Sequence, residues 1–358
     1  MRCYLGTKRL IDCYDKKNNS YDDIRFLLAT IVLYVHSYAL LYGEGKQEPF
    51  VKLANFQLGL GSLAVYGFFV LSGFFMIQSL ESNDSLLRYF KNRALRILPA
   101  FWLSLLISSF VLAPILAENF DIKSAINFFF KAGFFHIFGY AWTINGVFPH
   151  NPMIDGINGS MWTLKHEIAL YILLPFIVYL THKKRILLFF VFAVFFILAF
   201  TNINSNFILF NIPCCRAWVL AANEYPSFIV FSAYFFAGVI LYKYREFIIA
   251  SKRIWFMCFA LFIIALFFGN LKIITLFVFA YLIILFGSNY KKKIFSRTGD
   301  YSYGMYIYAF PVQQTLVHFY RESMNVYIFL IVSFFITLML SILSWHFLEK
   351  KFLKFKKR

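Results

Sequence analysis

At 358 residues the chain is as long as about two or three soluble domains, yet 61% of it is hydrophobic, 22% is aromatic and its mean hydropathy is +0.67. That composition excludes an ordinary soluble enzyme or a disordered chain and defines a multispanning membrane protein. The net charge of +18 does not mark a nucleic-acid partner, because the cations lie in short clusters between apolar runs.

Long apolar runs fall at 24–43, 56–80, 97–117, 161–181, 186–202, 226–242, 254–270, 273–288, 301–320 and 325–347. Each is near the ~20 residues that a helix needs to cross hydrocarbon. The runs lack the alternation of a membrane barrel, so the expected fold is all-α, a polytopic bundle of about ten transmembrane helices. The expected organisation is a segment 1–23, a membrane domain 24–348 and a basic tail 349–358. An even number of spans places both termini on one side, and the charges say which. With the termini cytoplasmic, 26 of the 35 Lys and Arg residues lie inside, seven lie outside, and only Arg25 and Lys165 fall within spans. The expected location is a membrane whose cytoplasmic face holds both termini. The polar, charged segment 1–23 has no signal-peptide character, and the short tail leaves no room for an appended soluble domain.

Two outer loops are long, 118–160 and 203–225, and long loops are commonly functional or disordered. Residues 125–142 read as an aromatic helix that either lies in the interface or folds back over the bundle. The cysteines Cys3, Cys13, Cys214, Cys215 and Cys258 have neither zinc-site nor disulfide-framework spacing, so no metal is expected.

Several residues inside these runs are costly in lipid. The stretch RFLLATIVLYVH places Arg25 and His36 eleven residues apart on one helix face, separated by about 16 Å along the axis. His36 reads either as a general base or as a buried histidine bonding a neighbouring helix. Arg25, Arg93 and Arg96 sit at the same end of helices 1 and 3, where they form either a phosphate clamp or ordinary positive-inside anchoring. In FFVLSGFF, 68–75, Ser72 and Gly73 form a small pair that admits a neighbouring backbone or a thin ligand arm. In NGSMWTLKHEIALYILLP, 158–175, Glu167 lies about as deep as His36, which makes a His36–Glu167 pair one option. Pairing of Glu167 with Lys165 or with Tyr171, one turn on, is the other. Helix 9 opens with GDYSYGMYIYAFPVQQ, 299–314, where Pro311 interrupts the helix and Gln313 and Gln314 line a polar path or bond another helix.

Taken together and in this order, the segments resemble the acyltransferase-3 family of integral-membrane acyltransferases. The resemblance rests on Arg25 with His36, FFVLSGFF, Arg93 and Arg96 before Pro99, MWTLKHE with Tyr171 and Pro175, and SYGMYIYAFP. It implies transfer of an acyl group, usually acetyl, from acetyl-CoA to a hydroxyl of a lipid-linked or polymeric carbohydrate, such as an O-antigen or capsule. Under the resemblance, His36 is the catalytic histidine, Glu167 the acidic partner, and Arg25, Arg93 and Arg96 meet the donor. Ser72, Trp162, Tyr171 and Tyr303 are then expected at the substrate. Two rival classes remain: a glycan flippase using His36 and Glu167 as a proton relay, and a catalytically silent scaffold. No inverted repeat is evident, which weighs against the first.

Overall fold

A computed structural model describes residues 8–357 apart from 44–47, 136–141, 183, 201–224, 292 and 322. The outer loop expected at 203–225, with Cys214 and Cys215, and Cys3 near the start lie almost wholly outside the described residues. Among the described residues the architecture is all-α apart from a two-residue antiparallel pairing of Lys8–Arg9 with Ile249–Ala250 and two isolated bridges, Ala117 with Val147 and Thr143 with Gly156.

The main helices are α1 (Tyr21–Tyr42), α2 (Leu60–Ser82), α3 (Leu86–Ile107), α4 (Ile122–Gly133), α5 (Leu164–Thr181) and α6 (Leu187–Phe200). They continue as α7 (Tyr225–Lys243), α8 (Lys252–Phe268), α9 (Leu271–Asn289), α10 (Ser302–Tyr320) and α11 (Val326–Ser344). Each of the ten apolar runs therefore carries a helix. Among the described residues six helices are long and apolar enough to cross a membrane: α1, α2, α9, α3 extended to Leu116, α5 with its preceding turn, and α11 extended to Lys356.

Two boundaries differ from the sequence reading. Helix α3 begins at Leu86, not near 97, because Ser85 caps it by accepting the Arg88 backbone N–H at 3.2 Å. The cluster KNRALR is consequently helical, and its arginines point from a rigid element. At the other end, α11 runs on through a π-helical turn, Trp345–Glu349, then Lys350–Leu353 and a 3₁₀ turn, Lys354–Lys357. The expected tail is thus a helical extension packed against α3.

Helices α2 and α7 form the most extensive pair in the bundle, and small residues explain how closely they approach. A Cβ on Gly73 would stand 1.9 Å from the Phe235 carbonyl oxygen, and one on Gly238 would stand 2.0 Å from that of Val70. Helix α10 packs between α1 and α11, with Gln313 donating to the Leu33 carbonyl at 2.9 Å and to Ser37 Oγ at 2.8 Å. Gln313 thus bonds another helix, as one of the two sequence readings has it. Helix α4 buries Ala125, Phe128, Ala132 and Gly133 on one face and packs on α3. This packing is common to both readings for residues 125–142, of which 136–141 lie outside the described residues.

Internal prolines serve the architecture through the carbonyls they release. A proline lacks the N–H that would bond the carbonyl four residues earlier. Pro175 frees the Tyr171 carbonyl, which accepts from Tyr89 Oη at 3.1 Å. Pro311 frees the Ile307 carbonyl, which accepts from Asn158 Nδ2 at 3.0 Å. In an apolar surround, each bond replaces one that the helix cannot make.

Candidate active site

The first turns of α1 and α3, the last turns of α2, the start of α10 and the end of the α11 extension meet at one end of the bundle. Between them lies a cavity of about 500 Å³ that reaches inward to α5. Its lining includes Arg25, Ser72, Arg93, Arg96, Glu167, Tyr171 and Tyr303, seven of the nine site residues expected from the sequence. Lys16 and Lys356 line it as well, which sequence reasoning had absorbed into topology.

The three arginines are not equivalent. Arg25 bonds Asp22 Oδ1 at 3.0 Å, one turn away, and its guanidinium lies 4.7 Å from the centre of the Phe75 ring. Arg96 is held by two carboxylates: it bonds Asp300, stands 3.5 Å from Glu349, and lies 5.4 Å from the Trp345 ring. Burial pushes the Asp300 carboxyl up, but the adjacent Arg96, with Arg25 and the Ser302 donors, holds it below the usual carboxylate range. Arg93 is different again, since its buried Nε has no hydrogen-bond partner among the described residues. Arg93 lines the cavity with no carboxylate paired to it among the described residues, whereas Arg25 and Arg96 each have one.

Glu167 lies at the inner end of this cavity. Its Oε1 accepts from Ser72 Oγ at 2.6 Å and from Tyr171 Oη, whose oxygen is also 3.3 Å from Ser72 Oγ. The His36–Glu167 pair allowed by their matching depths is therefore not formed, and the intrahelical Tyr171 option is. Depth along the membrane normal does not fix the direction a helix face points, and α5 turns Glu167 toward α2. Lys165 and His166, next to Glu167, are buried, and His166 packs against the rings of Trp162, Phe228 and Phe231.

His36 and Trp162 lie further along the bundle and line two smaller cavities instead. The second cavity, about 300 Å³, is formed by α1, α2, α7 and the 3₁₀ turn Gly159–Thr163. Val65 and Tyr306 line both this cavity and the basic one, so they are the partition between them. Tyr306 Oη is fixed there by Thr163 Oγ1 at 2.6 Å. The third cavity, about 280 Å³, shares only His36 and Trp162 with the second. His36 thus stands between two spaces, its ring edge-on to Phe310 at 5.3 Å and its Nδ1 without a hydrogen-bond partner among the described residues.

The bundle thus holds a cationic cavity at one end and a largely buried histidine, His36, beyond the Val65–Tyr306 partition. Residues 18–346 match the acyltransferase domain model, and the chain belongs to the acyltransferase-3 family of membrane acyltransferases. It is an acyltransferase and a multi-pass membrane protein. Among characterised proteins it is similar to the O-acetyl transferase of Shigella phage Sf6, at 29% identity over 94% of this chain and 96% of the phage protein. It is also similar to nodulation protein 10 of Rhizobium leguminosarum bv. viciae, at 23% identity over 84% of each chain. No solved structure matches it.

Proposed function

We propose that the protein is an inner-membrane O-acyltransferase that moves acetyl from acetyl-CoA to a hydroxyl of a bacterial surface glycan, such as an O-antigen or capsule repeat unit. The observation that carries this reading is the sequence of spaces along one helix face, from Arg25 in the basic cavity to His36 beyond the Val65–Tyr306 partition. In this reading all ten apolar helices are spans and both termini are cytoplasmic, so the basic cavity opens toward soluble acyl-CoA. The similarity to the Sf6 O-acetyl transferase supports an oxygen acceptor, and the family supports acyl chemistry.

The donor's phosphates dock on Arg93, Arg25 and Lys356, with Arg96 adding charge from its carboxylate cage. The pantetheine arm passes Ser72, Tyr171 and Tyr303, and the thioester reaches the second cavity once the Tyr306 side chain turns aside. His36 accepts the acceptor's hydroxyl proton as the oxygen attacks the thioester carbon. The C–O ester bond forms, the C–S bond breaks, and the proton passes from His36 to the departing thiolate to give free coenzyme A. Glu167 acts on the arm side of the partition, fixing Ser72 and Tyr171, rather than on the imidazole. Membrane lipids surround the bundle, and the acceptor arrives lipid-linked or polymeric.

The test is mass spectrometry of the surface glycan with and without the gene. The expected difference is one acyl group per repeat, restored by the wild-type gene and not by His36→Ala at equal protein level. Identical glycan masses with and without the gene would overturn the assignment.

A further inference from the structure

The third cavity is not used by the proposed donor path, and, like the second and unlike the basic one, it is lined mainly by apolar and aromatic side chains. Resting on the acyltransferase reading above, we infer that it is the acceptor subsite and that it holds a single sugar ring, stacked against Trp142, with one hydroxyl presented to His36.

Position is the first argument. The cavity shares no lining residue with the basic one, and it touches the second only through His36 and Trp162. A thioester in the second cavity leaves this opposite side of the imidazole as the place from which a hydroxyl can deliver its proton to the same ring. Chemistry is the second. Phe128, Trp142, Trp162 and Phe310 wall the cavity and no Lys or Arg among the described residues lines it, so it suits a neutral ring and not a diphosphate. Aromatic faces carry negative quadrupole charge that attracts the polarised C–H faces of a sugar. At about 280 Å³ it sits at the small end of ligand clefts, the size of one ring of a longer glycan whose remainder stays outside.

Preorganisation is the third argument. The segment carrying Trp142 is strapped to α10 from both directions. Asn151 Nδ2 donates to the Gln314 carbonyl and side-chain oxygens, each at 2.9 Å, while Gln314 Nε2 donates to the carbonyls of Met153 at 2.8 Å and Gly156 at 2.7 Å. Asn158 ties the next residues to Ile307 and to Ser104 at 3.3 Å. The Trp142 ring itself lies over Gly156, where a Cβ would come within 2.9 Å of Cζ3. A binding wall built this way costs little ordering when the ligand arrives.

The experiment uses the purified full-length protein in lipid vesicles with labelled acetyl-CoA. Two acceptor probes are supplied separately: de-O-acylated surface polysaccharide from the cells that carry this chain, and the lipid-linked repeat-unit fraction from the same cells. Loss of one stacking contact of about 0.5–1.5 kcal/mol corresponds to roughly two- to tenfold in affinity. Trp142→Ala is expected to raise the KM for whichever glycan is used by that factor, with the acetyl-CoA KM unchanged, and Trp142→Phe to restore most of it. Gly156→Ala, which displaces the ring without removing it, is expected to act in the same direction. Acceptor KM values equal to wild type in both Trp142→Ala and Gly156→Ala would overturn the subsite, as would a matching rise in the acetyl-CoA KM. If the wild type labels neither glycan, the proposed function falls and this inference with it; if it labels one and the variants do not differ, only the inference falls.

Discussion

At the scale of single residues, the cationic end of the site divides into groups that bind and groups that brace. Arg93 has a buried Nε with no partner, so Arg93→Gln is expected to raise the acetyl-CoA KM about tenfold or more, the worth of a charged hydrogen bond, with the melting temperature little changed. Arg96 is already held by Asp300 and by Glu349, the latter only 1% exposed. Arg96→Gln removes the cation from the buried Glu349 and the partly buried Asp300, which keep only their Ser344 and Ser302 donors, and a loss of roughly 3 kcal/mol is expected in thermal or denaturant unfolding in detergent. Equal melting temperatures for the two variants would contradict this division. The sequence made all three arginines look alike because the partners of Arg96 lie more than two hundred residues away at Asp300 and Glu349. His36 and Glu167 show the converse: helix register made a pair conceivable, but it could not show that Glu167 faces Ser72 and Tyr171 instead.

At the scale of elements, close approach and released carbonyls define the bundle. Gly73 and Gly238 sit where α2 and α7 touch backbone to backbone, so Gly73→Ala must force the helices apart at a cost of roughly 1–3 kcal/mol or more. The check is folded yield and melting temperature, and a stability equal to wild type would count against the packing. The pairing of Asn158 with Pro311 makes a sharper case. Asn158→Ala strands the Ile307 carbonyl and is expected to destabilise by roughly 1–3 kcal/mol. Adding Pro311→Ala supplies the missing helical N–H to that carbonyl, so the double variant is expected to recover part of the loss, read as a double-mutant cycle. Additive destabilisation would contradict it. The helices themselves were legible as apolar runs, because length and hydropathy decide what can sit in a bilayer. The start of α3 was not, since KNRALR carries no apolar periodicity and its helicity depends on the Ser85 cap and on packing against the α11 extension.

At the scale of the whole molecule, the proposed function runs in one direction, from the basic cavity past Tyr306 to His36, with both termini cytoplasmic. Orientation can be checked in a cysteine-free background with single cysteines at Lys356 and at Asn145. A membrane-impermeant maleimide is expected to label the Asn145 position in intact cells and the Lys356 position only after permeabilisation; the reverse pattern would invert the proposed topology. The central claim is that His36 takes the acceptor proton during acyl transfer. Its most direct test is transfer of label from acetyl-CoA to glycan in vesicles containing equal amounts of wild-type or His36→Ala protein. A fall of about 10²-fold or more, the usual contribution of a general base, is expected with the acetyl-CoA KM preserved. Transfer at the wild-type rate by His36→Ala would contradict the account.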